Sequence, residues 1–361
     1  MNMAFSPETL SKVFRSMPSF CNCNCFVTHN IYIQELDRHF RFTNTDQFFK
    51  DYNEVLSRLG YNSVTEKDHL LKQITDEISR RKSLEKDGEE RKKYLLKHYK
   101  PLNAGIYNLQ ENFLDVSFIK LVNAARNLNF KQTLQFLDVI SEEKQLYGFP
   151  VFTRSLCNEL LKELDNYQES SLPKGRPNSM NRHGVLLDEL GFHDSFSLLL
   201  RKNYLNPLAQ VLFPSWRGSE LDSHKIFTVG YNINEDLQLG YHYDNSEITL
   251  NVCLGKSFEG GELYFGDMKT VPIDKSTCML VPHKIGYGIF HRGQQLHGAL
   301  PITKGERYNL IIWLRSSSVR NNMCPMCNST PTLSPATGYG DGFTLTEENS
   351  VQICNMTGIF K

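Results

Sequence analysis

Two histidines and an aspartate give this chain its first chemical signal. His242 and Asp244 stand two residues apart in Gly240-Tyr241-His242-Tyr243-Asp244, and His297 follows in His297-Gly298-Ala299-Leu300-Pro301. Residues i and i+2 of a β-strand project from one face, so an imidazole and a carboxylate can be presented together. A neighbouring strand can supply His297. Two histidines and one carboxylate on one side of a metal leave three positions open, the arrangement of non-haem Fe(II) oxygenases. A His-x-Asp pair by itself recurs by chance in turns, so the residues that accompany it matter. Arg307 lies ten residues after His297, Pro301 and Gly305 mark a turn between them, and Trp313 closes the last strand. A buried guanidinium grips a carboxylate through two parallel hydrogen bonds. Arg307 is therefore the candidate anchor for the far end of a dicarboxylate such as 2-oxoglutarate, whose 2-oxo acid end would chelate iron.

His283 and His291 also fall in strand-like segments and compete for the role of distal ligand; the spacing to Arg307 favours His297. His242-x-Asp244, His297 and Arg307 resemble the 2-oxoglutarate- and Fe(II)-dependent oxygenases of the prolyl and lysyl hydroxylase group. The match is best to the lysyl enzymes, through Thr249-Leu250-Asn251, Phe258-Glu259-Gly260-Gly261, His297-x-x-Leu300-Pro301 and Gly305-x-Arg307-Tyr308. The collagen prolyl enzymes usually carry Lys at the Arg307 position. Cys21 to Asn30, Leu172 to Leu187, Tyr241 to Gly255 and Val319 to Cys327 extend the resemblance along the whole chain.

The resemblance implies a double-stranded β-helix (jelly-roll) fold, Fe(II), 2-oxoglutarate as co-substrate and dependence on ascorbate. It further implies hydroxylation of a C–H bond, with succinate and CO2 released, and a protein or peptide substrate by analogy alone. Tyr231 on the entry strand would donate its hydroxyl to the co-substrate carboxylate, or simply pack in the core. Asn251 would lie near the co-substrate, on the strand face it shares with Thr249 and Cys253. Tyr243 points away from both ligands and is expected to be structural. An interaction scaffold that retains the barrel, or a small-molecule oxygenase with an enclosed pocket, are the alternatives.

The elements that must position these residues fall into two kinds. From Ile226 onward, short runs alternate with Gly, Asp, Asn and Pro turns: 226–229, 248–254, 262–265, 278–281, 288–291 and 309–314. Such spacing predicts an antiparallel sandwich or barrel. The N-terminal part predicts helices: one starting at Ser6-Pro7-Glu8, one carrying Phe48 to Leu59 and ending at Gly60, and long charged helices over 65–100 broken at Gly88 and Pro101. Ile31 and Ile33 alternate as in a short strand. A further helical region holds Phe118, Leu121, Val122, Leu134, Leu137 and Ile140 and runs toward Glu143. Thr153 is placed to cap a helix with Leu156, Leu160, Leu161 and Leu164 on its apolar face. The polar loop 172–179 is a connector or a lid, and a helix is expected from Phe196 to Phe213.

The expected organisation is α+β: an α-rich N-terminal region over 1–145, an oxygenase domain over 146–320 with its core at 224–317 and flanking helices, and a Cys-containing tail over 321–361. Forty basic residues balance forty acidic ones, and no block of one sign invites nucleic acid or an anionic membrane. No apolar run approaches the roughly 18 residues of a membrane helix, and the first residues lack the apolar stretch of a secretory signal. With nine cysteines, an odd number, reduced thiols and a soluble intracellular setting in cytoplasm or nucleus are expected. That setting argues against a collagen-like substrate. Cys324-x-x-Cys327 has the spacing of half a zinc site, which Cys21, Cys23 or Cys25 could complete across the fold; reduced structural thiols are the simpler reading.

Overall fold

The computed structural model describes residues 20–216, 220–336 and 344–345, so the expected helix start at Ser6 and the glycines of the tail lie outside the described residues. The chain enters through strand β1 (Phe20–Cys23), followed by a hairpin of β2 (Ile31–Ile33) and β3 (Arg38–Phe40). Helix Thr45–Arg58 packs on that hairpin, and Ile31, Phe40, Phe48, Leu56, Leu70 and Ile74 form a small separate core. Gly60 ends the run with φ +92°. The next helix, Val64–His98, opens on a capping box in which Ser63 and Glu66 satisfy each other's backbone donors. It runs straight through Gly88. One helical glycine costs only about 1 kcal/mol, and Arg91 holds the far half by donating to both Glu189 oxygens at 2.6 and 2.7 Å.

The helical region expected to run toward Glu143 is a helix to Arg126 and then two short turns, Phe130–Thr133 and Leu134–Phe136, where it ends. Residues 138–150 form a hairpin instead, β4 (Asp138–Ser141) and β5 (Leu146–Pro150), turned at Gln145 with φ +52°. Leu137 and Ile140, three apart, fit a helix face, yet each segment is too short to bury a helical stripe. The boundary expected at residue 145 falls in the turn of this hairpin, which adds two strands to the edge of the main sheet. Thr153 caps helix Arg154–Glu169 by accepting from Leu156 N at 3.3 Å. The helix expected from Phe196 spans 193–212, interrupted by two five-residue π segments.

The barrel strands follow: β6 (Ser223–Asn232), β7 (Leu239–His242), β8 (Ile248–Gly255), β9 (Phe258–Gly260), β10 (Leu263–Met268), β11 (Met279–Val281), β12 (Tyr287–Arg292), β13 (Gln295–Ala299) and β14 (Ile302–Arg315). They form a large sheet in the order β4-β5-β12-β8-β14-β6, with β9 on β14, and a small sheet in the order β11-β10-β13-β7. All pairings are antiparallel, and the chain passes repeatedly from one sheet to the other: a double-stranded β-helix. Period-two alternation sorts its side chains. Ile248, Leu250, Val252 and Leu254 of β8, with Leu310, Ile312 and Leu314 of β14, pack against the helices. Their neighbours Thr249, Asn251, Asn309, Ile311 and Trp313 face the interior between the sheets.

The tail returns to the start of the chain. After helix Ser317–Arg320, β15 (Leu333–Ala336) and β16 (Thr344–Leu345) flank β1, with Cys23 opposite Leu333. Glu247 and Arg320, an ion pair with only 1% and 3% of their side chains exposed, lock this end to the barrel. No helix among the described residues is long and apolar enough to cross a membrane.

Candidate metal and co-substrate site

Register puts the two histidines together. In the pairing of β13 with β7, His297 stands directly opposite His242, and their ring centroids are 4.4 Å apart. Strand β7 ends at His242, but Asp244 N still donates to Gly293 O at 2.8 Å, so the chain stays tied to the sheet long enough to aim the carboxylate back. Asp244 Oδ1 lies 3.8 Å from His242 Nε2, and Asp244 Oδ2 lies 3.7 Å from His297 Nε2. One ligand atom from each of the three falls within 4.8 Å of the others.

The tautomers are fixed by backbone carbonyls, which only accept. His242 Nδ1–H donates to Gly240 O at 2.7 Å, and His297 Nδ1–H donates to Gln295 O at 2.9 Å. Both Nε2 lone pairs therefore face Asp244 and are available to a cation. Burial lowers each imidazole to about 4, which keeps both neutral at physiological pH. Burial also raises the Asp244 carboxyl, against a 2.6 Å hydrogen bond that Thr249 Oγ1 donates to Oδ2. Two buried neutral imidazoles and one buried carboxylate, aimed at one point, make a site that a divalent cation would complete.

Arg307 lies in the same interior on β14, opposite Tyr231 of β6. It is fully buried, its guanidinium sits 4.5 Å over the Tyr231 ring, and Nη1 donates to Gly261 O. Its Nε has no hydrogen-bond partner among the described residues. Burial lowers its pKa from the usual guanidinium range. A buried cation with an unmet donor fits the carboxylate of a co-substrate. The Phe258-Glu259-Gly260-Gly261 turn explains itself here: Gly261 has φ +73°, and a Cβ there would stand 2.5 Å from Arg307 Nη1.

The residues assigned to the metal and the co-substrate all line this one inner pocket: Tyr231, His242, Asp244, Asn251, His297 and Arg307. Tyr231 Oη accepts from Asn181 Nδ2 at 3.2 Å, and Asn251 Oδ1 accepts from Asn309 Nδ2 at 2.6 Å. Asn309, two residues after Arg307 on one strand, shares its face by the same period-two rule, whereas Asn181 carries no spacing signal that reveals it beforehand. His291 lies 4.8 Å from the His297 ring but outside the ligand group, its Nδ1 donating to Arg292 O. His283 Nε2 meets Gly261 O at 3.1 Å, behind the arginine. Loop 172–179 is anchored by Pro173 O and Pro177 O, which accept from Tyr167 Oη and Lys225 Nζ. Its continuation at Asn178 to Asn181 walls a second, outer cavity of about 170 Å³, which meets the inner pocket at His242. Tyr243 is structural: its hydroxyl donates toward Asn30 Oδ1 and Met326 O.

A double-stranded β-helix with two histidines and a carboxylate on neighbouring strands of one sheet, and a buried arginine deeper in the barrel, defines the 2-oxoglutarate- and iron-dependent oxygenase class of protein. Comparison with known proteins narrows the class. A family model described as "OGFOD2-like domain" matches residues 95–218. The protein named "2-oxoglutarate and iron-dependent oxygenase domain-containing protein 2" of Xenopus tropicalis is 47% identical over 345 residues, covering 94% of this chain and 98% of that protein. The Homo sapiens protein of the same name is 43% identical over 341 residues, 94% and 97% of the two chains. The chain belongs to this family. Similarity also reaches the "Multifunctional procollagen lysine hydroxylase and glycosyltransferase LH3" of Rattus norvegicus, 29% identical over 46% of this chain and 23% of that protein.

Proposed function

We propose that the protein is a working Fe(II)- and 2-oxoglutarate-dependent dioxygenase that hydroxylates a C–H bond of a protein or peptide side chain, with succinate and CO2 as co-products. The observation that carries this reading is the pairing, in one buried pocket, of a His242, Asp244 and His297 ligand set with an Arg307 whose Nε has no hydrogen-bond partner among the described residues. A barrel kept only as a scaffold has no physical need to bury that charge.

His242 and His297 present neutral Nε2 atoms, and Asp244 supplies one negative charge, so Fe(II) would be held by three ligands on one side. Thr249 steers the carboxylate. Arg307 receives the far carboxylate of 2-oxoglutarate, Tyr231 stacks beneath the guanidinium and offers its hydroxyl to the same group, and the Asn251–Asn309 pair shapes the opposite wall. Iron, when bound, supplies the activation of dioxygen. The protein orients the reactants and excludes water. The outer cavity beside His242, walled by both ends of the chain, is where a substrate side chain would enter. The protein substrate class is supported by the named activity of the lysine hydroxylase relative.

The test is succinate release from 2-oxoglutarate in the presence of Fe(II), oxygen and ascorbate, the reductant this class is expected to need. Wild type should turn over above Asp244→Ala and Arg307→Ala, most strongly once a substrate peptide is found. Equal rates in all three proteins across a substrate search overturn the reading.

A further inference from the structure

Among the described residues the oxygenase reading leaves two clusters of ligand-type side chains unused: Asp188 with His193 and His224, and a set of four cysteines. Cys23 and Cys25, near the start of the described chain, meet Cys324 and Cys327 about 300 residues later. All four are free thiols, and their Sγ atoms lie within 4.8 Å of one another, with Cys25 and Cys324 at 3.5 Å. We infer that these four cysteines bind a structural zinc ion, which clamps the two ends of the chain together as the outer wall of the substrate cavity.

Geometry comes first. Zinc–sulfur bonds of about 2.3 Å in a tetrahedron place neighbouring sulfurs roughly 3.8 Å apart, within the spread of this cluster. A disulfide would need about 2.05 Å, and joining one pair would leave two further thiols crowded against it. Soft thiolate sets select zinc or iron–sulfur centres, and four thiolates in a closed tetrahedron suit zinc.

The backbone is built for thiolate ligands. Cys324-Pro325-Met326-Cys327 is a tight turn, closed by Asn328 N donating to Cys324 O at 2.9 Å and by Cys324 N donating to Ser329 O at 2.9 Å. Met326 N–H points at Cys324 Sγ from 3.4 Å, a donor that a thiolate accepts. On the other side Cys23 ends β1 and Cys25 opens a single helical turn, with Asn24 N held by Thr332 O.

The charge is also matched. Four thiolates around a divalent ion carry a net charge of about −2. Two cations brace the cluster: Arg81, which also pairs with Glu77 at 2.9 Å, donates to Phe26 O, His29 O and Asn30 O, all around the Cys23 and Cys25 segment, and Lys269 Nζ donates to Pro325 O inside the Cys324 turn. Cys21 stands apart, its thiol directed to Thr344 O at 3.6 Å, so the site takes Cys23 and Cys25 from the N-terminal set.

The consequence for function is positional. Cys23, Cys25, Cys324 and Met326 line the outer cavity, and Tyr243, between ligands His242 and Asp244, bonds to Met326 O. Zinc at this point would fix the wall that a substrate meets without touching the iron.

The test uses the full-length protein purified under reducing conditions. Metal analysis should find about one zinc per chain, and X-ray absorption at the zinc edge should read sulfur neighbours alone at about 2.3 Å. Zinc should persist in Cys21→Ser and in the iron-site variant His297→Ala, and fall at least tenfold in Cys25→Ser and Cys324→Ser. If the cysteine variants do not fold, the absorption spectrum of wild type decides. Absence of zinc, nitrogen or oxygen neighbours around it, zinc that survives Cys324→Ser, or a mapped Cys25–Cys324 disulfide each overturns the inference.

Discussion

Arg307→Met separates a co-substrate anchor from a structural arginine. The side chain is fully buried, bonds through Nη1 to Gly261 O and leaves Nε unmet. Hydrogen bonds to a charged group contribute about 1.5–3 kcal/mol each. Losing two from a bidentate grip therefore raises the Kd for 2-oxoglutarate by at least about a hundredfold. The protein without ligand should not suffer. Methionine replaces a buried cation held only by Gly261 O and the Tyr231 side chain, with no carboxylate among its hydrogen-bond partners in the described residues, by a flexible apolar chain that still packs on the Tyr231 ring. Thermal melting with Mn(II) in place of iron, to stop turnover, reads both effects. Ligand at a hundred times its Kd stabilises wild type by about 2.7 kcal/mol. With an unfolding entropy of about 2.1 cal/mol/K per residue over 361 residues, that is a rise of about 3–4 °C. Arg307→Met should melt at or above wild type without ligand and rise by no more than about half a degree with it. An undiminished rise, or a ligand-free melting temperature several degrees lower, refutes the assignment of the arginine to the co-substrate.

Three other outcomes follow from the same geometry. Thr249→Val removes the 2.6 Å hydrogen bond to Asp244 Oδ2; Mn(II) affinity should fall about 10–100-fold, and an unchanged Kd in a calorimetric titration refutes the steering role. Gly261→Ala forces a Cβ at φ +73° against Arg307 Nη1; the KM for 2-oxoglutarate should rise at least tenfold while Mn(II) binding holds, and the reverse pattern would place the glycine's role at the metal. Burial depresses His242 and His297 to about 4 and His224 to about 3. The unfolded chain then binds more protons below pH 6.5, so metal-free stability should be full above that value and fall by roughly several kcal/mol as pH drops toward 4. Urea unfolding with the same midpoint at pH 7 and pH 4.5 would contradict it.

The barrel was legible because its strands alternate. Thr249 and Asn251 face inward while Ile248, Leu250 and Val252 face the helices, a pattern of period two that a single sequence displays. The ligand set was legible because two of its members are i and i+2 and the third keeps a fixed step to Arg307. Where the reading failed, local pattern was overridden by distant partners. Residues 138–150 pair as a hairpin because the open edge of β12 accepts Leu146–Pro150, which no local pattern reveals. Gly88 is carried inside a helix by the distant Glu189. Asn181 reaches Tyr231 from a loop about fifty residues away. The cysteine cluster was legible as Cys324-x-x-Cys327 with Cys21, Cys23 or Cys25 as candidates to complete it; that Cys23 and Cys25 approach while Cys21 turns to Thr344 is decided by the fold.

The central claim is that His242, Asp244 and His297 hold iron beside a 2-oxoglutarate anchored by Arg307. Anaerobic titration of Fe(II) into the protein with 2-oxoglutarate tests it most directly, because chelation of the metal by the 2-oxo acid produces a visible charge-transfer absorption. Wild type should develop that band at one iron per chain, with Asp244→Ala and His297→Ala developing none at the same concentrations. A band of equal strength in either variant, or no band in folded wild type, contradicts the account.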